Sequence, residues 1–136
     1  TLLKPNLVEA ISMVKFFGFK ENNPIKMAEI LCDKLSLDKI IITLGSEGMA
    51  ILDTKANNSQ TNVRFIPTVA SEVFDVSGAG DTVISVLTAS LLAGATLMEA
   101  AWIGNCAAGV VVAKKGTATV TSTELLSFYQ KMASQL

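Results

Sequence analysis

The sequence contains no histidine, two cysteines and no marked excess of charge of either sign. Without histidine, a catalytic triad built on imidazole is excluded. Cys32 and Cys106 lack the spacing of metal ligands, so neither a zinc site nor a disulfide framework is supported. We expect both to be buried small hydrophobes in a cytosolic protein. Eleven basic and twelve acidic side chains give no basic footprint, and nucleic acid is not an expected partner.

Long apolar runs are also absent. The longest, residues 83–95, is interrupted by Ser85, Thr88 and Ser90 and falls short of the roughly twenty residues that span a bilayer. The first residues, "TLLKPN", do not have the organisation of a signal peptide. We therefore expect a cytoplasmic location and no membrane partner. With 50% hydrophobic and 17% charged residues, the 136-residue chain is suited to one domain with a core.

The chain begins without methionine, on what resembles the end of a strand. We expect it to be a piece of a longer protein whose missing part holds some of the active site. Strands of a divided sheet near this end would expose an unpaired edge. Such an edge favours self-association and allows a homodimer.

Helix and strand signals alternate through the first half of the chain. Asn6 with Glu9 predicts a capped helix that ends near Gly18, and Asn23-Pro24 predicts the start of a second. The apolar run "KIIITL" is typical of a strand covered on both faces. A tight turn at "GSEG", strands at "MAILD" and "VRFIPTV", and a polar loop or hairpin tip at "TKANNSQTN" follow.

The second half is predicted to be mainly helical. A short strand through Val73-Phe74 precedes a helix that begins near Gly78 and ends at Gly94. A second helix runs from residue 96 or 97 to residue 114 or 115, and a third is capped by residue 121 or 122. Elements in this order indicate a layered α/β domain.

The stretch "DVSGAGDT", residues 75–82, precedes an apolar helical segment. Its glycines let a backbone approach an anion, which the N–H groups of a helix start can bind. It is not a Walker A loop, and Val83 stands where a dinucleotide fingerprint has its third glycine. Two interpretations are open: a plain strand-to-helix turn, or a phosphoryl-transfer site. In the second, Asp81 stays ionised near the helix N-terminus and accepts the proton of an attacking alcohol.

This stretch resembles the signature of the ribokinase-like (PfkB) carbohydrate kinases, approximately D-T-x-G-A-G-D, with Val76 at the usual threonine. The resemblance implies a three-layer α/β/α sandwich, of which residues 1–136 would be the C-terminal, ATP-binding and catalytic portion. It makes Asp81 the catalytic base. The backbone of Gly78, Ala79 and Gly80 would form the anion hole.

Two stretches that precede that signature in the chain also resemble the family, and they occur in the family's order. "KPNLVE" is similar to its N-x-x-E element, which implies that Asn6 and Glu9 help to place Mg²⁺ and the nucleotide phosphates. A simple capping box explains the same residues. "TLGSEGM" resembles a segment beside the nucleotide, so Thr43, Gly45 and Gly48 would face ATP; by itself it is only a hairpin turn.

The stretch "GNCAAGVVVAKKGTATV" resembles the family's nucleotide-side helix and loop. Asn105 would line the adenine pocket and Gly116 would lie in the loop, although small residues also permit tight helix packing. The resemblance further allows K⁺ between this loop and the aspartate loop. Asp75 and Ser77 occupy the matching positions there.

The finer pattern, "EVFDVSGAGDTVI" followed by "NCAAGVVVAKKGTATV", is most similar to the kinase domains of bifunctional heptose 7-phosphate kinase/heptose 1-phosphate adenylyltransferases. This implies phosphorylation of D-glycero-β-D-manno-heptose 7-phosphate in ADP-heptose and lipopolysaccharide biosynthesis. The N-terminal half, with the sugar-binding sheet and lid, would be a partner of this chain. Another sugar or nucleoside kinase of the family, or a nucleotide-binding fragment that is inactive alone, are the alternatives.

Overall fold

The computed structural model describes residues 1–55 and 63–134. They belong to two compact units, Thr1–Pro67 and Thr68–Leu136, which are described in turn. Most of the polar stretch predicted as a loop or hairpin tip, residues 56–62, lies outside the described residues. In the described ranges, every helix is too short or too polar to cross a membrane.

The first unit contains a mixed four-stranded sheet. Its spatial order follows the chain: β1 (Leu2–Leu3), β2 (Lys39–Thr43), β3 (Met49–Asp53) and β4 (Val63–Ile66). β1 pairs with β2 in parallel, and the other two pairings are antiparallel. The strands predicted from the apolar runs are thereby confirmed, and β1 lies at an edge of this sheet as expected.

Two helices follow β1 in the chain, α1 (Leu7–Phe16) and α2 (Pro24–Leu35). Both begin where the sequence predicts. Asn6 forms a full capping box with Glu9, and the Asn23 side chain accepts hydrogen bonds from the N–H groups of Ile25 and Lys26. These contacts satisfy donors that a helix start otherwise leaves without partners.

The core of this unit lies between the two helices and one face of the sheet. Ala10 and Val14 of α1 and Leu31 of α2 pack in one cluster with Ile40 and Ile42 of β2. Ile41, whose side chain points to the opposite face of β2, is also fully buried. Burial on both faces is what the continuous apolar run "KIIITL" predicts.

The second unit is helical, with α3 (Ala79–Leu92), α4 (Leu97–Val112) and α5 (Ser122–Ala133). α4 begins after Thr96 as predicted but ends two residues before the predicted Lys114. The Lys114 N–H donates to the Val111 carbonyl, so the chain tightens into a short turn there.

Small residues bring these helices close together. A Cβ at Gly104 of α4 would lie 3.4 Å from the Val83 carbonyl oxygen of α3. A Cβ at Gly109 would lie 3.0 Å from the Phe128 ring of α5. Tight helix packing is therefore confirmed as one role of the small residues in "GNCAAG".

The predicted strand through Val73-Phe74 is wrong. Both side chains are exposed, at 61% and 63%. The N–H groups of Phe74 and Asp75 donate to the Val112 carbonyl, at 2.7 Å and 3.2 Å. The backbone thus finds its partner at the last residue of α4 instead of in a neighbouring strand, which satisfies the same donors.

Candidate active site

The start of α3 differs from every other α-helix start in the described part of the chain. Its N-cap, Gly78, has left-handed backbone angles (φ +79°, ψ −3°), and no side chain caps it. The other four α-helices begin with capping side chains, from Asn6, Asn23, Thr96 and Thr121. A non-glycine residue would be strained at Gly78, because positive φ brings its Cβ too close to the backbone.

The missing cap leaves N–H groups open. The Ala79 N–H donates to the Val76 carbonyl at 3.1 Å, closing a turn before the helix. No described residue accepts a hydrogen bond from the N–H of Gly80 or of Asp81. Two donors therefore point out of the positive end of a helix, which favours an anion.

Asp81 is the third residue of α3 and is exposed. Its carboxylate makes no hydrogen bond or ion pair with any residue that the structure describes. The carboxylate and the open N–H groups thus occupy the same helical turn. This arrangement offers an anion site and a proton acceptor side by side.

Asp75 joins the motif to the loop that follows α4. Its Oδ1 accepts a hydrogen bond from the Ser77 N–H at 2.8 Å. That bond, with help from the Ser77 hydroxyl and the Gly116 N–H, lowers the pKa of Asp75. Asp75, Ser77 and Gly116 are therefore brought together in the structure, and a cation site there stays a prediction.

Thr117 also lies against the motif, and the sequence reasoning missed it. A Cβ built at Gly78 would lie 3.1 Å from Thr117 Cγ2. No local signal could have found this contact, because the two residues are far apart in the chain and belong to different loops.

In the first unit, Asn6 and Thr43 lie next to each other. They form an isolated parallel bridge, and the Thr43 N–H donates to the Pro5 carbonyl at 3.0 Å. Both residues come at the carboxyl ends of the neighbouring parallel strands β1 and β2, where open α/β sheets commonly bind ligands.

The turn after Thr43 is a tight 3-10 turn over Gly45–Glu47 that joins β2 to β3. Gly45 and Gly48 have positive φ angles of 63° and 98°. The Leu44 N–H donates to the Gly48 carbonyl at 2.8 Å, which closes the hairpin. The predicted Gly-containing hairpin turn is confirmed.

Asn6 and Glu9 hold each other in a reciprocal capping box. The Asn6 N–H donates to Glu9 Oε2 at 2.7 Å, and the Glu9 N–H donates to Asn6 Oδ1 at 2.9 Å. In the described ranges there is no cluster of three acidic, histidine or cysteine side chains. The oxygen donors of Asn6 and Glu9 suit Mg²⁺, which usually keeps several waters and needs few protein ligands.

Asn105 lies in the middle of α4 and is 4% exposed, the only buried polar residue among those described. None of the buried polar side-chain atoms in the described residues lacks a hydrogen-bond partner. Asn105 precedes the end of α4 at Val112 by two helical turns, about 10 Å along the axis. A role in adenine binding stays a prediction.

The family model for pfkB family carbohydrate kinases matches residues 1–124. The chain belongs to that family. Within it, the chain is 45% identical over 126 residues to the bifunctional protein HldE of Shewanella piezotolerans. It is 46% identical over 125 residues to HldE of Nitrosococcus oceani. These alignments cover 93% and 92% of this chain but 25% of each relative, so the chain spans a quarter of their length.

Solved structures of related kinases share the fold. Ribokinase from Thermotoga maritima matches with a TM-score of 0.83 and 26% identity, over 95% of this chain and 42% of that one. Phosphofructokinase-2 from Escherichia coli in complex with potassium matches with a TM-score of 0.80 and 20% identity, over 97% of this chain and 41% of that one. The predicted ribokinase-like α/β fold is confirmed.

Proposed function

We propose that this chain is the ATP-binding and catalytic part of a sugar kinase, which transfers the γ-phosphoryl group of ATP to a sugar hydroxyl. The observation that carries the proposal is the start of α3. There, Gly78 is left-handed and uncapped, and two N–H groups and the Asp81 carboxylate in the same turn have no partner among the described residues. Membership of the pfkB family supports the assignment.

The two kinds of group act on different partners in this mechanism. The backbone around Gly78, Ala79 and Gly80 holds the transferred phosphoryl group, and the open N–H groups of Gly80 and Asp81 supply the donors. Asp81 accepts the proton of the sugar hydroxyl. At the same time, the sugar oxygen forms a bond to the γ-phosphorus, and the bond between that phosphorus and the ADP oxygen breaks. Positioning and charge stabilisation supply most of the catalysis in such reactions.

The remaining predicted residues are assigned to the nucleotide and its cations. Asn6 and Glu9 would hold Mg²⁺, which neutralises phosphate charge when it is bound. In the first unit, Thr43, Gly45 and Gly48 would face ATP. In the second unit, Asn105 would face the adenine and Gly116 would lie in the loop after α4.

A monovalent cation is a separate part of this proposal. Asp75 would be a K⁺ ligand, which the potassium complex of the structurally similar phosphofructokinase-2 supports. The hydrogen bonds that lower the pKa of Asp75 favour its carboxylate form, and a carboxylate oxygen is a suitable ligand for a cation.

For the substrate we propose D-glycero-β-D-manno-heptose 7-phosphate, phosphorylated at its 1-hydroxyl in the cytoplasm on the ADP-heptose and lipopolysaccharide pathway. The 45% identity to a bifunctional HldE protein supports this choice. The second candidate is another sugar of the family, such as ribose, which the structural likeness to ribokinase favours.

The chain would be the C-terminal part of a longer kinase domain. It spans 42% of the ribokinase chain that it matches. An N-terminal half would then supply most of the sugar site, and the present chain alone would bind nucleotide without transferring phosphate. A homodimer of the intact kinase is compatible with this assignment.

Replacement of Asp81 by asparagine in the intact kinase tests the mechanism. We expect kcat to fall by about 10²- to 10⁴-fold, because the amide cannot accept the hydroxyl proton. The Kd for ATP should change by less than about threefold, since the nucleotide contacts remain. Steady-state kinetics and calorimetry would measure the two quantities.

Asp33→Asn is a matched control, because Asp33 is an exposed helical aspartate in α2. It should retain the kcat of the unchanged kinase. An Asp81→Asn variant with near-normal turnover would remove Asp81 as the base.

A further inference from the structure

We propose that Thr117 is a positioning residue for the anion site: its γ-methyl group holds Gly78 in the left-handed conformation from which α3 starts. The inference rests on the proposed kinase function. It adds a residue that touches neither the phosphate nor the sugar and acts through the backbone of Gly78.

Thr117 leaves no room for a side chain at Gly78. The position that a Cβ would take at Gly78 lies 3.1 Å from Thr117 Cγ2. The threonine methyl group therefore borders the side of Gly78 on which any other residue would carry its side chain. Glycine by itself visits many backbone conformations, and a neighbour on its open side restricts that freedom.

The loop that carries Thr117 is fixed on both sides. Lys114 Nζ donates to the Thr119 carbonyl at 2.8 Å and pairs with Glu124 Oε1 of α5 at 2.7 Å. The hydrogen bonds from Phe74 and Asp75 to the Val112 carbonyl tie the motif to the residue before this loop. Although Thr117 is exposed, its backbone is therefore held in place, and its β-branched side chain has few rotamers.

The methyl group and the hydroxyl group of Thr117 can be separated experimentally. Its hydroxyl makes no hydrogen bond with the described residues, whereas its methyl group faces the position that a Cβ at Gly78 would take. Thr117→Val keeps the methyl group and the branched shape but removes the hydroxyl. Thr117→Ser keeps the hydroxyl and removes the methyl group.

Loss of the methyl group should affect the transition state more than nucleotide binding. With Gly78 released, the N–H groups of Gly80 and Asp81 would no longer be aimed at one point. Small misplacements of this kind cost up to about 100-fold in rate. The residues assigned to the adenine, such as Asn105, would keep their positions in α4.

The test compares the intact kinase with its Thr117→Ser and Thr117→Val variants. We expect Thr117→Ser to lower kcat about tenfold with KM for ATP nearly unchanged, and Thr117→Val to stay within about twofold of the unchanged kinase. Equal kcat for Thr117→Ser and the unchanged kinase would overturn the inference. So would a larger loss in Thr117→Val, which would assign the role to the hydroxyl.

A binding measurement gives a second readout that does not depend on turnover. Calorimetry with Mg-ADP and aluminium fluoride, a mimic of the transferred phosphoryl group, should show about tenfold weaker binding by Thr117→Ser. Binding of Mg-ADP alone should be unchanged. An equal loss for both ligands, or for neither, would contradict a positioning role.

The two proposals fail in different ways. If the wild-type kinase shows no turnover with any sugar, both the proposed function and the inference that rests on it are contradicted. An active kinase in which Thr117→Ser behaves like the unchanged protein contradicts the inference alone.

Discussion

At the scale of single residues, Asp81 and Gly78 illustrate what a local pattern can predict. A glycine before a helix and an acidic residue in its first turn are features of adjacent residues, and the structure has both. The sequence could not show that the Ala79 N–H donates to the Val76 carbonyl while the N–H of Asp81 has no acceptor in the described part of the chain. That distinction depends on the turn geometry of residues 76–79.

Thr117 illustrates a contact beyond local prediction. It meets Gly78 only because the motif is hydrogen-bonded to the end of α4, just before the loop that carries Thr117. Asn105 is an intermediate case: its neighbours are small, which predicts close packing, but the burial of its amide depends on the elements that pack against α4.

The two cysteines provide a prediction at this scale. Burial raises the pKa of each thiol to about 11, and the carboxylates of Asp38 and Asp53 add to the effect at Cys32. Only the thiolate reacts readily, and a rise of about two pKa units lowers its fraction roughly 100-fold. We expect iodoacetamide at pH 8 to alkylate both thiols far more slowly in the native protein than in guanidinium chloride. Equal rates in the two conditions would contradict their burial.

At the scale of the elements, helix starts were predicted well because caps are local. The pairs Asn6–Glu9 and Thr121–Glu124 each form a reciprocal capping box, as short-range sequence signals indicate. The strand predicted at Val73-Phe74 failed because a strand requires a partner from elsewhere in the chain. Here the partner of those N–H groups is the carbonyl of Val112.

The start of α5 gives a prediction about pH. The ammonium group of Lys114, together with the N–H and hydroxyl of Thr121, lowers the pKa of Glu124 to about 2 from its ordinary 4.5. A carboxyl with a lowered folded-state pKa stabilises the protein fully above pH 4.5 and loses this contribution as the pH falls towards 2. We expect Glu124→Gln to lose less stability than the unchanged protein over that range.

Urea unfolding at pH 7, pH 4.5 and pH 3 would measure the difference. Glu72→Gln is a suitable control, because Glu72 is exposed and has no ion pair with any described residue. Parallel loss of stability in the Glu124→Gln variant and the unchanged protein would show that the Lys114–Glu124 pair contributes nothing in solution.

At the scale of the whole molecule, the sequence motifs identify the family, whereas the periodicity of apolar residues indicates only the fold class. Apolar patterns predict an α/β class, but four motifs in the right order point to one family, which the match over residues 1–124 confirms. The choice of sugar could not be predicted in the same way. The proposed mechanism assigns Asp81 to the reacting hydroxyl, and it assigns no residue of this chain to the rest of the sugar.

Sugar-dependent formation of ADP from Mg-ATP by the intact kinase tests the central claim most directly. The assay would compare heptose 7-phosphate with ribose, fructose and nucleosides, and would include this chain alone. We predict ADP formation that requires a sugar, is fastest with heptose 7-phosphate, and is absent from the chain alone although it binds ATP. An intact protein that binds ATP but forms no ADP with any of these acceptors would contradict the assignment as a sugar kinase.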